Sequence, residues 1–482
     1  MWTNGKRFVR ALVVVAAGGG LIFSTGTPVS AAPAPGDNKV TRTVITYQTD
    51  DPALVDNPKR MVETLLRDGN LDRLGVAPGD DTLPQRTKPT AEYGTRSEKF
   101  ADTGDITTQT TFPYDYITRS ECRDNSNASR TEGWIKNHFA YCQKTAVSGI
   151  AIECTLFPPG CRPVGAYAAT AMTIGYGKQG ERTADFDFIL DGLVATGVFL
   201  RTSSDFEVEI RCSGGGTGGC APGSPSSRDS SFVSWLADPV AKLQLVSPAS
   251  APDPALGEQK ATGVFRMHYE VDLSGFTDAS GDLPEGGMRF DSATYLPYKE
   301  GSIFDRTMPW LSYSVTDSEV SYSAWNIYNA QNFPADTQPL LAGKQLAGES
   351  ASDPLHRLYH DKSRRKANRA EATAFCRSQW PGYSDLGQDC DEYAFACTYE
   401  GAARYKYDGA QYKNHFAVRP IPAYDNQEAG RRLGVWYGND RILDSDPFYV
   451  RIFGASGSAP APPTGTPVPP DDEIVDCGDG TE

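Results

Sequence analysis

The sequence predicts a multidomain protein: an N-terminal all-β sandwich or barrel-like domain followed by a small α+β unit. Three observations carry this. Between residues 105 and 330, short segments alternate apolar and polar residues between Gly, Ser, Asp and Pro turns, as strands with one wet face do. From 351 to 453 the pattern changes to helical stretches closed by an apolar strand. Charge changes at the same place: residues 351–452 hold 15 Lys+Arg against 14 Asp+Glu, leaving 31 against 47 for the rest of a chain whose net charge is -15. Such an acidic balance excludes a protein that coats nucleic acid over its whole surface, but not one with a local basic unit.

The elements follow in order. Residues 1–32 read as a secretory signal peptide, with Lys6, Arg7 and Arg10 ahead of the apolar run from Ala11 to Phe23 and a small-residue cleavage site at Val29-Ser30-Ala31. The run is too short to span a bilayer, which takes about 20 residues. No later stretch does better, so no transmembrane segment is expected and the mature chain is expected to be secreted. Residues 33–104 are polar and linker-like, with one amphipathic helix at Pro58 to Leu74 on the spacing of Met61, Leu65, Leu66, Leu71 and Leu74.

The β-rich domain at 105–330 has its clearest strand in Phe206-Glu207-Val208-Glu209-Ile210, whose apolar residues face a core while the glutamates face water. Residues 213–230 read as a flexible loop. A Pro-, Gln- and Gly-containing linker at 331–350 leads to the unit at 351–453. There the pattern predicts helices at Asp361 to Ser378 and Asp425 to Tyr437, then a strand at Phe448 to Phe453. Residues 454–482 form a Pro-rich acidic tail.

All ten cysteines lie after the cleavage site, and an even number in an exported chain implies disulfides. Short separations suggest Cys154–Cys161 and Cys212–Cys220, with Cys122–Cys142 as the remaining pair of the first half. Connectivity among Cys376, Cys390, Cys397 and Cys477 stays open. No C-x2-C spacing marks a structural zinc site.

Two segments of the last unit carry candidate chemistry. Cys390-Asp391-Glu392-Tyr393 sets two carboxylates beside a cysteine, a pattern equally common in a structural turn. In the stretch from Ile421 to Ile452, Asp425 is a good N-cap, so Asn426 opens the predicted helix. On that helix Asn426 and Leu433 share a face, while Arg431 and Arg432 point away. The basic cluster Lys362, Arg364, Arg365, Lys366 and Arg369 reads first as a solvated helix face. His356-x3-His360 has the spacing of a zinc pair, but Arg357 stands where H-E-x-x-H needs Glu.

Together the two segments resemble the NucA/NucB family of exported bacterial deoxyribonucleases. The family pattern of Cys-Asp-Glu-aromatic, a later Pro, an acidic-Asn step opening a helix with a small residue and Gly, and a closing DGDPF-like strand is met by Cys390-Asp391-Glu392-Tyr393, Pro422, Asp425-Asn426, Ala429-Gly430 and Asp444-Ser445-Asp446-Pro447-Phe448. Ala394 stands where the family has Pro, and Ser445 where it has Gly; neither replaces a reactive group. The resemblance covers the last unit alone.

What it implies is a ββα-metal-type nuclease domain at 351–453, in which two strands and a helix hold one divalent ion, Mg2+ or Mn2+, against a DNA phosphate. Asp391 is the implied general base, and Glu392 is a second catalytic carboxylate or a metal ligand. On a strand the two would face opposite ways, so only one is expected at the metal. Asn426 is the implied metal ligand on the helix, and Arg431 and Arg432 the implied phosphate contacts. Glu400 is a weaker carboxylate candidate and His415 an alternative base.

Function is then expected to be that of a secreted endonuclease cutting DNA with little sequence preference. One rival is an exported surface-binding or adhesion protein whose β-rich domain takes an unknown ligand and whose nuclease-like unit is inactive. Another is a delivered antibacterial DNase toxin.

Overall fold

The structure, a computed structural model, describes residues 40–79, 91–97, 114–216, 219–248, 252–457, 459–463 and 465. The signal peptide, most of the polar stretch at 80–104, the acidic end of the tail and Cys477 lie outside the described residues.

The alternating segments fold as two antiparallel sheets. The first runs Val40–Thr49, Ala140–Leu156, Pro159–Tyr176, Thr183–Ala195, Val240–Val246 and Ala221–Pro222, with Trp134–Asn137 beside its second strand. Register shifts between Ala151 and Ile152 and between Ala168 and Thr170 bend its long central strands, because an extra residue on one side of a ladder kinks it. The second runs Glu300–Ile303, Gly286–Ala293, Glu258–Leu273, Ser204–Gly216 and Ser227–Ser231, with Ala279–Asp282 alongside. Phe206, Val208 and Ile210 are fully buried between the sheets, and Glu207 and Glu209 take the other face, as the period of two requires. Phe186 of the first sheet meets Phe265 of the second at 4.9 Å between ring centroids. The shared core closes over Trp235, whose indole N–H donates to the Phe206 carbonyl at 2.8 Å.

Several expectations are corrected here. The loop expected over 213–230 is largely strand: the Ser204–Gly216 strand continues past Cys212, and Ser227–Ser231 returns to pair with it. Gly214 permits this because a Cβ there would lie 2.2 Å from the Thr262 carbonyl oxygen. The helix expected to Leu74 ends at Asp68, where Gly69 turns left-handed at φ 77°, and a separate 3-10 turn covers Asp72–Leu74. The polar-looking Val40–Thr49 is an edge strand, its β-branched residues outweighing its polarity.

A third, four-stranded sheet joins Leu355–His356, Pro447–Phe453, Thr307–Ser314 and Ala91–Arg96, and the closing strand lies parallel to Thr307–Ser314. Lys344, in the stretch read as linker, is buried, and its Nζ donates to the Thr337 and Phe416 carbonyls at 3.0 Å. Burial pushes its pKa down to about 8. Disulfides join Cys122–Cys142, Cys154–Cys161 and Cys212–Cys220, the pairs expected from spacing, and also Cys376–Cys390. Among the described residues no helix is long and apolar enough to cross a membrane.

Five elements position the candidate site: α1 (Ser321–Asn332), α2 (Lys362–Gln379), β1 (Gln388–Tyr393), β2 (Ala417–Pro422) and α3 (Ala423–Asn439). β1 and β2 form a two-stranded antiparallel ribbon, and β2 runs directly into α3.

Candidate functional site

The ribbon has two differently covered faces. Cys390 and Glu392 turn toward α2, to which Cys376 ties the strand covalently. The Glu392 carboxylate accepts from Arg369 Nη1 of α2 at 2.5 Å, with both groups largely buried. Asp389 and Asp391 alternate to the other face. There Asp391 Oδ2 accepts from the Asn326 amide of α1 at 3.0 Å. Arg419 of β2 stands opposite Asp391 in register.

Asp391 is 6 % exposed. Burial, then the neighbouring Glu392 charge, drive its pKa well above the usual carboxylate range; the Asn326 hydrogen bond and Arg369 oppose this, and Asp425 adds to it.

Asn426 sits in the first turn of α3 on the Asp391 side. Its Nδ2 reaches Asp389 Oδ2 at 3.5 Å, and Gln427 Nε2 reaches the same oxygen at 3.4 Å. The structure therefore brings Asn426 to Asp389 and sets Glu392 on the opposite face, against α2. Glu392 and Asn426, both metal candidates from the sequence, do not share a site, because adjacent strand residues point apart. Asp389, not among the sequence candidates, shares the Asp391 face because it lies two residues before it on the strand.

Asp425 does not cap its own helix. α3 begins at Ala423, and the buried Asp425 carboxylate accepts from the backbone N–H groups of Tyr322 (2.9 Å) and Ser323 (2.8 Å) in the first turn of α1. The residue before that turn, Val320, has no side chain able to cap it.

Arg432, a phosphate candidate, is corrected outright. It is fully buried, with its guanidinium on Glu428 (2.6 Å), Asp317 (2.6 Å) and Glu319, so no DNA phosphate can reach it. Arg431 is half-buried and forks onto Glu428 at 2.7 Å.

The weaker candidates lie elsewhere. Glu400 accepts from the His356 backbone N–H at 2.9 Å, and its other oxygen is 3.0 Å from His356 Nδ1, a contact that raises the His356 pKa. His415 sits in the loop before β2, with Nδ1 3.1 Å from the Gln345 carbonyl. The late aspartates are clamps. Asp444 Oδ1 accepts from the backbone of Tyr359 and His360 (2.7 and 3.1 Å), and Asp446 pairs with Arg289 at 2.5 Å. Two arginines of the basic cluster turn inward: Arg369 as above, and Arg364, which holds Asp408 at 2.7 Å.

Among the described residues no three His, Cys, Asp or Glu side chains converge as a metal site. Asp389 and Asn426 each carry an oxygen of the kind a hard divalent ion takes, but the contact between them is made by the Asn426 amide nitrogen.

Residues 349–451 match the family model described as Deoxyribonuclease NucA/NucB. No curated protein matches the chain, and no solved structure matches it. The matched range holds α2, the ribbon and α3; α1 lies before it.

Proposed function

We propose, from the premise that residues 349–451 form a NucA/NucB deoxyribonuclease domain, that this chain is an exported, metal-dependent endonuclease hydrolysing DNA phosphodiester bonds with little sequence preference. The observation that carries the reading is the ribbon running directly into α3, with Asp391 and Asn426 on one side of it. In this reading the ribbon and α3 serve as the two strands and the helix of a ββα-metal-type site. Four disulfides support export, since such bonds persist in oxidising compartments.

In this reading Asp391 accepts the proton of the attacking water, and Asn326 aims its Oδ2. Asp389 and Asn426 would hold the divalent ion, Mg2+ or Mn2+, whose chemistry when bound is to polarise a phosphoryl oxygen. Glu392 acts through Arg369, fixing a positive charge behind the ribbon. Arg431 meets a phosphate only by exchanging its Glu428 partner.

The test is plasmid nicking by the oxidised mature protein with Mg2+ or Mn2+. EDTA should abolish it, and Asp391→Ala and Asn426→Ala should each lower the rate about 100-fold or more with the melting curve unchanged. Wild-type rates in both variants would remove the site assignment.

A second reading makes the β-rich region the working part, a binding module for a surface ligand. It is favoured by a cleft of about 480 Å3 between the first sheet and the short helices beside it, lined by Asp56, Arg123, Lys144, Thr170 and Asp191. A well-folded protein that cuts no DNA under any metal would move the function there.

A further inference from the structure

The first described residues of the Pro-rich tail pack back on the last domain. After the closing strand at Phe453 the chain returns to the ribbon, bonding to it twice and once to the turn just before it. Arg419 Nη2 donates to the Pro460 carbonyl at 2.6 Å, Gln388 Nε2 donates to the Pro463 carbonyl at 3.2 Å, and the Gly465 N–H donates to the Leu386 carbonyl at 2.7 Å. All three contacts use the tail's main chain. Prolines at 460, 462 and 463 favour an extended backbone with exposed carbonyls, so the strap is stiff and acceptor-rich.

Arg419 is the informative partner. It faces Asp391 across the ribbon, and a guanidinium makes its strongest bonds to a carboxylate or phosphate through a two-pronged fork. Here one prong is held by a neutral carbonyl, a contact that an anion of the right shape outcompetes. The strap lies outside the matched family range. The sequence after Gly465 adds six acidic residues (Asp471, Asp472, Glu473, Asp476, Asp479 and Glu482) and no Lys or Arg.

We propose that the strap, residues 460–463 with Gly465, is an intramolecular competitor of DNA: it occupies Arg419, which in this reading contacts phosphate beside Asp391, and lifts off when a DNA backbone takes its place. The proposal rests on the nuclease reading for its substrate. Removal of the tail, for example by proteolysis after export, then relieves the enzyme.

Two readouts keep the proposals separable: affinity for a short fluorescent DNA duplex in EDTA, and plasmid nicking with Mg2+ or Mn2+. The proteins are the mature full chain, a chain ending at residue 457, and the full-length triple variant Pro460→Gly, Pro462→Gly, Pro463→Gly, which keeps every acidic residue but loosens the strap. All are checked by thermal melting. Truncation is expected to tighten DNA binding on the order of tenfold, as freeing an occluded state does, with nicking at low DNA rising in step. The triple variant should move several-fold the same way. Arg419→Ala in the truncated chain should reverse the gain.

Equal affinity in all three proteins overturns the strap and leaves the nuclease reading intact. A rise on truncation without any in the triple variant assigns the effect to bulk charge and also overturns it. Tighter binding with no cleavage by any form supports the strap and removes the nuclease reading. Should the truncated chain melt early, the triple variant alone decides.

Discussion

The interior between the two large sheets is filled with rings, while the C-terminal unit closes around guanidinium groups. Between the sheets, Phe186, Phe188, Phe206, Phe232, Trp235 and Phe265 are all but fully buried in edge-on and tilted contacts. In and around the C-terminal unit, Arg289, Arg364, Arg432 and Arg441 are buried too, each on a carboxylate. The difference is one of directionality. Apolar burial depends on area and shape, so many residues of similar size serve. A buried ion pair depends on one partner in one geometry, and losing that partner leaves an uncompensated charge. The sheets are therefore expected to tolerate conservative exchange better than the nuclease-like unit does.

Substitutions can break or sharpen that contrast. The largest effect is expected from Phe206→Ala, about 4 kcal/mol of lost stability in a denaturant melt, while Phe206→Leu should lose only about 1 kcal/mol. Arg432→Met should cost about 3 kcal/mol, and here the conservative Arg432→Lys should cost nearly as much, since an ammonium cannot span Asp317, Glu319 and Glu428. A lysine variant as stable as wild type would show that charge alone, without the fork, holds this corner.

Lys344 tests the same idea through pH. Its folded pKa is depressed to about 8 against 10.5, so between these values the unfolded chain holds more protons and stability rises with pH. Below that window both states are protonated and the slope vanishes. Melting temperatures of wild type and Lys344→Met should keep a constant gap below about pH 7, and the gap should shift toward wild type by about pH 10. An unchanged gap over the whole range would mean the buried amine keeps its charge unperturbed. The smallest effect is at Ser445, which stands where the family pattern has Gly and holds a left-handed φ of 64°. Ser445→Gly should gain up to about 1 kcal/mol by removing that strain, offset in part by the entropy glycine loses on folding.

Much of this architecture was legible in the residues. Phe206-Glu207-Val208-Glu209-Ile210 announces a half-buried strand, because side chains alternate faces whatever the strand pairs with. Cys154–Cys161 and Cys212–Cys220 were readable because a short separation leaves little choice of partner. Cys390-Asp391-Glu392 and Asp425-Asn426 were readable as a motif by their order and types. Strand Val40–Thr49 and helix Ser321–Asn332 were not read, the one because it looks polar, the other because it has no clear apolar stripe.

What each motif residue touches was decided by the tertiary structure alone. Asp391 meets Asn326 from 65 positions upstream, and Arg432 meets Asp317 from 115 upstream. Asp425, shaped as a cap for its own helix, caps α1 instead, and Pro460 of the Pro-rich tail lies on Arg419. Periodicity, short-range pairing and residue chemistry are local properties, so the sequence by itself determines them. A charged side chain's partner is set by which distant backbones pack together, and only the folded chain brings those within hydrogen-bond reach.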